Sequence, residues 1–248
     1  MTTKPIFIIG GTGRVGRQVL EQLLSNGNEV KALVRSKESE VLKDFLNNPK
    51  LTVIEEKDLL SLSTEDFSKL IQDVETIICT LGHTSVSAKP KTLVVDTTKL
   101  IHKSVEHLKP SVPVKLLMLG TSGILNPADD RKMGFGENFL ISSVKYLVAP
   151  VQDSQECVDY IANTITKDNQ YLQWTIVRPV NFVEKYEDGI TEYKTFEKTI
   201  HPFYNNGVVK IKNIADFFVN LVKNNELFDT WKGKMPVIVD SDQALYKN

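Results

Sequence analysis

A glycine-rich turn near the start of the chain constrains the fold more than any other feature. The apolar run Pro5-Ile6-Phe7-Ile8-Ile9 is followed at once by Gly10-Gly11-Thr12-Gly13-Arg14-Val15-Gly16, and a segment of helical periodicity comes next. A buried strand that turns through glycines into a helix is the usual structure for binding the pyrophosphate of a dinucleotide. Such a turn presents unpaired backbone N–H groups and the positive end of a helix dipole to the anion.

Each glycine of this turn has a separate expected role. Gly11 makes the tight turn, Gly13 lets a phosphate approach the backbone, and Gly16 lets the helix pack close to the strand. The helix is predicted to be amphipathic, with these apolar residues on one face: Val15, Val19, Leu20, Leu23 and Leu24. A tight turn without a ligand is the alternative interpretation.

The end of the second apolar run points to one form of the dinucleotide. The run Val30-Lys31-Ala32-Leu33-Val34 ends at Arg35, which lies 19 residues after Gly16. In this kind of fold an acidic residue there binds the ribose 2′-OH of NAD, whereas an arginine favours the 2′-phosphate of NADP. Ser36 and Lys37 add two more donors for a phosphate. The sequence therefore predicts NADP(H) rather than NAD(H), with a solvated surface arginine as the alternative.

Short apolar runs alternate with helical patterns along the whole chain. The predicted strands are 5–9, 30–34, Leu51–Glu55, Val74–Thr80, Val114–Leu119, Leu172–Val177 and Met235–Val239. The predicted helices after the first are 38–47, 64–72, 91–108, 152–167 and 213–225, the last with Asn213 as its N-cap. This alternation is typical of an α/β protein whose parallel sheet is covered on both faces. We expect one domain over residues 1–248.

Two long connections interrupt the alternation. Residues 120–149 follow the fifth strand, and residues 180–212 follow the sixth and are rich in phenylalanine and tyrosine. Both leave from the carboxyl edge of the sheet, where open α/β sheets bind their ligands. The two segments are therefore expected to form a small substrate side. A small satellite core built from the aromatic residues is the alternative.

Composition excludes several other classes of protein. Thirty basic residues stand against 31 acidic ones in 248, so binding to nucleic acid through phosphate neutralisation has little support. No apolar stretch approaches the roughly 20 residues that cross a membrane, and the first strand begins too early for a signal peptide. Cys79 and Cys157 do not make a disulfide framework. We expect a cytoplasmic protein, a monomer or homodimer, that acts on a small molecule.

Five motifs together resemble one known family. They are Gly-x-x-Gly-x-x-Gly at residues 10–16, Leu33-Val34-Arg35, Lys57-Asp58-Leu59, Cys79-Thr80-Leu81-Gly82 and Trp174-Thr175-Ile176-Val177-Arg178-Pro179. The pattern is similar to the atypical short-chain dehydrogenase/reductases, in particular the NmrA-like and biliverdin-reductase-B-like (flavin reductase) branch. The resemblance implies a Rossmann-type doubly wound sheet with strand order 3-2-1-4-5-6-7. It also implies that Asp58 and Leu59 lie beside the adenine, and that Thr80, Leu81, Gly82 and Pro179 belong to the cofactor site.

The chain departs from this superfamily at its catalytic motif. Most of these enzymes use Tyr-x-x-x-Lys, in which the tyrosine transfers a proton to the carbonyl and the lysine lowers its pKa. None of the seven tyrosines here has a lysine four residues later. Tyr146 still resembles the tyrosine of the motif in position, without its lysine partner. Alcohol dehydrogenase and sugar epimerase chemistry therefore have little support.

The remaining catalytic candidates are hydroxyl groups after the fifth strand. Gly120-Thr121-Ser122-Gly123 stands where the superfamily carries its substrate-facing serine, and resembles the Thr-Ser of the flavin reductases. A hydroxyl there stabilises negative charge that develops on the acceptor. Ser122 is the first candidate and Thr121 the second. A hydroxyl that only caps the turn is the alternative.

Histidines and acids offer weaker candidates. His83 follows Gly82, beside the expected cofactor. Asp153 is expected at the start of its own helix, where the helix dipole stabilises a negative charge. His102 and His107 are five residues apart on one predicted helix and do not share a face. No metal site is therefore predicted.

Three functions fit these patterns to different degrees. The first is an NADPH-dependent reductase of a planar conjugated acceptor such as a flavin, quinone or tetrapyrrole, for which the protein supplies orientation and a hydroxyl. The second is an NADP(H)-binding sensor without turnover, as in some NmrA-like proteins. A sugar-nucleotide epimerase ranks last, because it needs an acid–base pair that the sequence does not offer.

Arg35 generates the first testable prediction. NADPH is expected to bind more tightly than NADH by roughly tenfold to a hundredfold, since a hydrogen bond to a charged group contributes about 1.5–3 kcal/mol. Titration of both reduced cofactors, followed by nicotinamide fluorescence, measures the two dissociation constants. Equal constants would contradict the assignment of Arg35 to a 2′-phosphate.

Overall fold

The computed structural model of the chain describes residues 4–83, 91–126, 149–184, 189–198 and 207–241. Its strands are β1 (Ile6–Ile9), β2 (Val30–Val34), β3 (Leu51–Glu55), β4 (Thr76–Cys79), β5 (Val114–Leu119), β6 (Leu172–Pro179), β7 (Asn181–Val183), β8 (Tyr193–Phe196), β9 (Val208–Lys210) and β10 (Val237–Asp240). Its α-helices are α1 (Arg14–Ser25), α2 (Glu40–Lys43), α3 (Thr64–Ile71), α4 (Leu93–Leu108), α5 (Ala149–Tyr160), α6 (Ile211–Lys223) and α7 (Asn225–Trp231).

The main sheet has the order β3-β2-β1-β4-β5-β6-β10-β8. Each neighbouring pair from β3 to β10 is parallel, which confirms the Rossmann-type order 3-2-1-4-5-6-7 with β10 as the seventh predicted strand. Beyond it, β8 pairs antiparallel with β10, and sequence patterns did not predict this strand. A separate parallel pair, β7 with β9, also comes from the connection 180–212.

Helices cover the sheet on both faces. On one face α1 packs against α6, and α6 against α7; on the other, α4 packs between α3 and α5. The first core includes Leu20, Leu23 and Phe218, all without solvent exposure. The second includes Phe67 and Ile101. Burial of apolar area on both faces is what holds the carboxyl ends of the central strands in place.

Parts of the predicted substrate side lie outside the described residues, namely 127–148, 185–188 and 199–206. Of the aromatic residues in the remainder, Phe182, Tyr193 and Phe196 pack against the core on the α1 and α6 face. Tyr193 also meets the ring of Phe217 edge-on, with 6.1 Å between centroids. These three side chains therefore pack against the main core of the domain.

Two predicted helices, at 38–47 and 152–167, differ from the structure by more than two residues at one end or the other. The helix expected at 38–47 is reduced to α2, because Leu42 is its one fully buried residue and Asn47-Asn48-Pro49 ends the helical pattern. The helix expected at 152–167 begins earlier, at Ala149, and its last turn, Ile161–Ile165, is a π-helical turn.

Asn213 is not an N-cap, and that prediction was wrong. Helix α6 begins at Ile211, with the extended Lys210 before it. The Asn213 side chain is fully buried and donates hydrogen bonds to Asp240 Oδ1 at 2.6 Å and Thr191 Oγ1 at 3.0 Å. It therefore ties the first turn of α6 to the end of β10 instead of capping its own helix.

The glycine-rich turn brings α1 unusually close to β1 and β4. Gly10 has the left-handed backbone in this turn, with φ +84°. Since glycine lacks a side chain, it adopts this conformation at little cost. A Cβ atom on Gly16 would lie 2.1 Å from the carbonyl oxygen of Gly10 and 2.6 Å from Thr80 Oγ1. The first turn of α1 therefore rests directly on the turn that precedes it.

Gly16→Ala tests this close approach. We expect it to lower the free energy of unfolding by about 1–3 kcal/mol, because the added methyl overlaps a backbone carbonyl that cannot move alone. Gly11→Ala is the control from the same turn, since its Cβ would meet only the side chain of Ile8 at 3.5 Å. Urea unfolding followed by circular dichroism measures both. Equal stability of the two variants would show that α1 does not need the contact.

Candidate dinucleotide-binding site

A cavity of about 390 Å³ opens at the carboxyl ends of the first four strands. It lies at the switch point of the strand order, where β1 has β2 on one side and β4 on the other, and open α/β sheets bind their ligands at this point. Its lining residues are Ile9, Gly10, Thr12, Gly13, Leu33, Val34, Arg35, Glu56, Lys57, Asp58, Leu59, Leu60, Thr80, Leu81, Gly82, His83 and Leu93.

The N-terminus of α1 faces this cavity and suits an anion. Gly13 is the N-cap residue, no side chain caps the helix, and no acidic residue lies in its first turn. A Cβ on Gly13 would meet only the Gly10 carbonyl, at 3.2 Å, so the backbone is open on its other sides. Free N–H groups and the helix dipole therefore remain available for a phosphate.

The opposite end of the cavity carries charge from two neighbouring strands. Arg35 follows β2, and its exposed side chain forms no ion pair with any described residue. Lys57 and Asp58 follow β3 beside it. Asp58 Oδ1 accepts a hydrogen bond from the Leu60 backbone N–H at 3.2 Å, so this carboxylate also caps the short 3-10 turn Leu59–Ser61.

The structure brings nine of the predicted site residues together in the cavity wall. They are Gly10, Thr12, Gly13, Arg35, Asp58, Leu59, Thr80, Leu81 and Gly82.

Six other predicted cofactor residues do not line the cavity. Gly11, Val15 and Gly16 instead support the turn and the packing of α1. Ser36 Oγ accepts a hydrogen bond from the Glu38 backbone N–H at 3.2 Å. Arg14 and Pro179 are likewise absent from the cavity wall.

Arg14 instead reaches the segment after β6. Its guanidinium lies 5.0 Å from the ring centroid of Phe182 and 3.4 Å from Glu184 Oε1. The first residue of α1 is therefore joined to β7 by a cation–π contact and an exposed ion pair.

The two predicted catalytic hydroxyls differ in their surroundings. Neither Thr121 nor Ser122 lines the cavity, and the residues that follow at 127–148 lie outside the described residues. Thr121 is exposed, and its Oγ1 accepts a hydrogen bond from the Gly123 N–H at 3.3 Å. Ser122 is buried, and its backbone N–H donates to the Pro179 carbonyl at 3.0 Å. Its hydroxyl forms no hydrogen bond within the described residues.

Buried polar side chains fix the loop that carries Ser122. Arg178 has no solvent exposure and donates to the carbonyls of Ile124, Met235 and Glu197. Gln155 on α5 bonds both the N–H and the carbonyl of Leu125, at 3.2 and 3.1 Å. The position of Ser122 is therefore set by β6 and by α5.

Sequence reasoning misjudged Asp153. It does not stand at the start of its own helix, which begins four residues earlier, but is 1% exposed and caps a different helix. Its two oxygens accept the backbone N–H groups of Val94 and Val95, at 2.8 and 2.9 Å, in the first turn of α4. Asp153, Cys157 and Ile161 are spaced four apart, so an acid on an otherwise buried stripe was the signal available in the sequence.

His83 contacts the same carboxylate from the end of β4. Its Nε2 lies 2.6 Å from Asp153 Oδ2, and the two side chains are 3% and 0% exposed. Such a short contact between a ring N–H and a carboxylate is typical of a charge-assisted hydrogen bond. The loop after β4 is thereby joined to α4 and α5 at one carboxylate.

Within the described parts of the chain, no three histidine, cysteine or acidic side chains are grouped as a metal site would require. Among the described helices, none has both the length and the apolar character of a membrane span.

Solved structures with this fold come from several organisms. A short-chain dehydrogenase/reductase of Veillonella parvula in complex with NADP has a TM-score of 0.67 at 11% identity, over 99% of this chain and 98% of that one. A candidate NADH-flavin reductase of Streptococcus pneumoniae has a TM-score of 0.63 at 18% identity, over 96% and 100%. Gre2 of Candida albicans, with NADPH, has a TM-score of 0.64 at 14% identity, over 95% and 78%.

A sequence relative covers a smaller part of the chain. An uncharacterised chloroplast protein of Arabidopsis thaliana is 36% identical over 84 residues, which is 28% of its own length. A model of an NAD(P)H-binding family matches residues 10–225, from the glycine-rich turn to the start of α7. The solved structures share the Rossmann-type fold of this chain. Since the family model spans most of its length, the chain belongs to the NAD(P)H-binding family.

Proposed function

We propose that the protein is an NADP(H)-dependent reductase of a planar conjugated acceptor, such as a flavin, a quinone or a tetrapyrrole. The observation that carries this proposal is one cavity with an uncapped, acid-free helix N-terminus and, at another point of its wall, the cation Arg35, which has no ion-pair partner among the described residues. A dinucleotide with an additional phosphate on its adenosine ribose matches both features. The NADP and NADPH bound to two structural neighbours support the same choice.

The described residues fit such a cofactor along the whole cavity. Gly10, Thr12 and Gly13 would hold the pyrophosphate, Arg35 the 2′-phosphate, and the loop after β4 the half that carries the nicotinamide. When bound, reduced nicotinamide supplies a hydride. The chain itself contributes binding, orientation and the exclusion of water.

Ser122 is the proposed donor to the acceptor. Its hydroxyl has no partner among the described residues, whereas that of Thr121 is used in the turn. Because the backbone N–H of Ser122 donates to Pro179, and Gln155 holds the next residues of the loop, the backbone that carries the hydroxyl is fixed before any ligand arrives. A fixed donor stabilises negative charge on the acceptor without a cost of reorganisation.

The lack of a Tyr-x-x-x-Lys motif in the sequence favours a conjugated acceptor over a simple ketone. None of its tyrosines has a lysine four residues later, so a simple ketone would lack the usual proton donor. A conjugated ring system spreads the added charge over many atoms and needs less help. The likeness to a candidate NADH-flavin reductase supports this choice.

Turnover and the Ser122→Ala variant test the function. Purified protein is expected to oxidise NADPH with FMN or a quinone, followed at 340 nm. Ser122→Ala is expected to slow this reaction about 10- to 100-fold, the effect of one hydrogen bond to a charged group, with the dissociation constant of NADPH unchanged.

The matched control for Ser122 is Ser104→Ala, which removes another buried hydroxyl, one that donates to the backbone carbonyl of Thr64 in α3 and does not line the cavity. This control should keep the wild-type rate. An unchanged rate in Ser122→Ala would remove Ser122 from the mechanism. No oxidation with any acceptor would refute the reductase.

Arg35→Ala tests the coenzyme preference. The change should weaken NADPH binding roughly tenfold or more while leaving NADH binding nearly unchanged, because only NADPH has the charge that Arg35 contacts. Lys103→Ala removes an exposed cation of α4 as a control. Calorimetric titration gives the four constants, and equal losses for the two coenzymes would contradict the assignment.

A further inference from the structure

One titratable side chain lines the nicotinamide half of the cavity. Within the described residues, four of the five ionisable groups in the wall follow β2 or β3, at the end proposed for the adenosine: Arg35, Glu56, Lys57 and Asp58. His83 follows β4, on the other side of β1. A dinucleotide whose pyrophosphate lies at α1 would therefore place its nicotinamide on the side of His83.

Asp153 determines where the His83 ring lies. Its carboxylate receives two backbone N–H groups from the first turn of α4 and one ring N–H from His83. These three hydrogen bonds fix the carboxylate between the first turn of α4 and the ring, so the ring has one orientation. A histidine whose ring is oriented by a buried carboxylate on one nitrogen is a recurrent arrangement for general acid–base catalysis.

Cys79 and Cys157 are two buried thiols near His83 and Asp153, and neither supplies a negative charge there. Burial raises the pKa of Cys79 to about 11 and that of Cys157 to about 12, and the charge of Asp153 contributes to both increases. Both thiols therefore stay neutral at physiological pH. The negative charge beside the His83 ring comes from Asp153.

We propose that His83 donates the proton that completes the reduction, and that Asp153 is its positioning residue. This inference rests on the proposed reductase function. The acceptor gains an electron pair with the hydride and then needs one proton to become neutral. His83 releases one ring proton to it and regains one from water, so each cycle consumes one hydride and one proton.

A structural role of the pair needs a hydrogen bond, whereas a proton donor needs a group that ionises. His83→Gln separates the two, because the glutamine amide can still donate to Asp153 but cannot release a proton. His83→Ala removes both properties and leaves room for imidazole. His102→Gln is the matched control, since His102 Nδ1 bonds Tyr160 Oη at 2.8 Å and His102 does not line the cavity.

The experiment compares these variants in turnover, NADPH affinity and melting temperature. We expect His83→Gln and His83→Ala to reduce kcat about 100-fold or more, the usual contribution of a general acid, with NADPH affinity within about twofold. Added imidazole should restore part of the rate of His83→Ala and none of that of His83→Gln. Asp153→Asn should lower kcat as well as the melting temperature, because it weakens both the ring contact and the cap of α4.

Three outcomes would overturn the proposal. A wild-type rate in His83→Gln would show that only the hydrogen bond matters. A loss of NADPH affinity equal to the loss of rate would assign His83 to binding. Failure of imidazole to raise the rate of His83→Ala would exclude a proton donor at that place. If the wild-type protein oxidises NADPH with none of the acceptors, both the reductase function and the role of His83 are refuted. If it does turn over, the three outcomes above test the role of His83 alone.

Discussion

The contact between the first turn of α1 and the carbonyl of Gly10 is the constraint on which the rest of the site depends. Because residue 16 has no side chain, the helix begins directly over β1 and beside Thr80 of the β4 loop. Its free N–H groups are then aimed at the ends of the strands. Any larger residue would push the helix outward and separate the anion site from the strands that supply its other walls.

Local patterns predicted most of the fold and about half of the site. Buried parallel strands appear as short apolar runs, and the residues just after them had to meet at one edge of the sheet. That geometry placed Arg35 at the cavity, and the family resemblance added Asp58 and Thr80. The predicted ends of a helix were less accurate where few of its residues are buried, as in α2, which has Leu42 as its one fully buried residue.

The other features depend on contacts between residues that are far apart in sequence. Asp153 caps a helix whose N–H groups lie 58 and 59 residues earlier, and Asn213 bonds a strand 27 residues later. Nothing in a local window specifies either partner. Each is a polar residue at a position where the pattern demands an apolar one, and a buried polar group must find a hydrogen bond somewhere. A polar residue at an apolar position of a pattern therefore indicates a hydrogen bond to a distant part of the chain.

The antiparallel strand β8 has a consequence for the behaviour of the protein in a crowded solution. An unpaired β10 would offer a row of backbone donors and acceptors to any passing strand. Since β8 runs opposite to β10 and spans only Tyr193–Phe196, it covers that row, and within the described residues the sheet ends at a short strand with Lys194 facing water. A four-residue edge strand with an exposed lysine is a poor template for fibril growth, so this strand helps to keep the molecules apart.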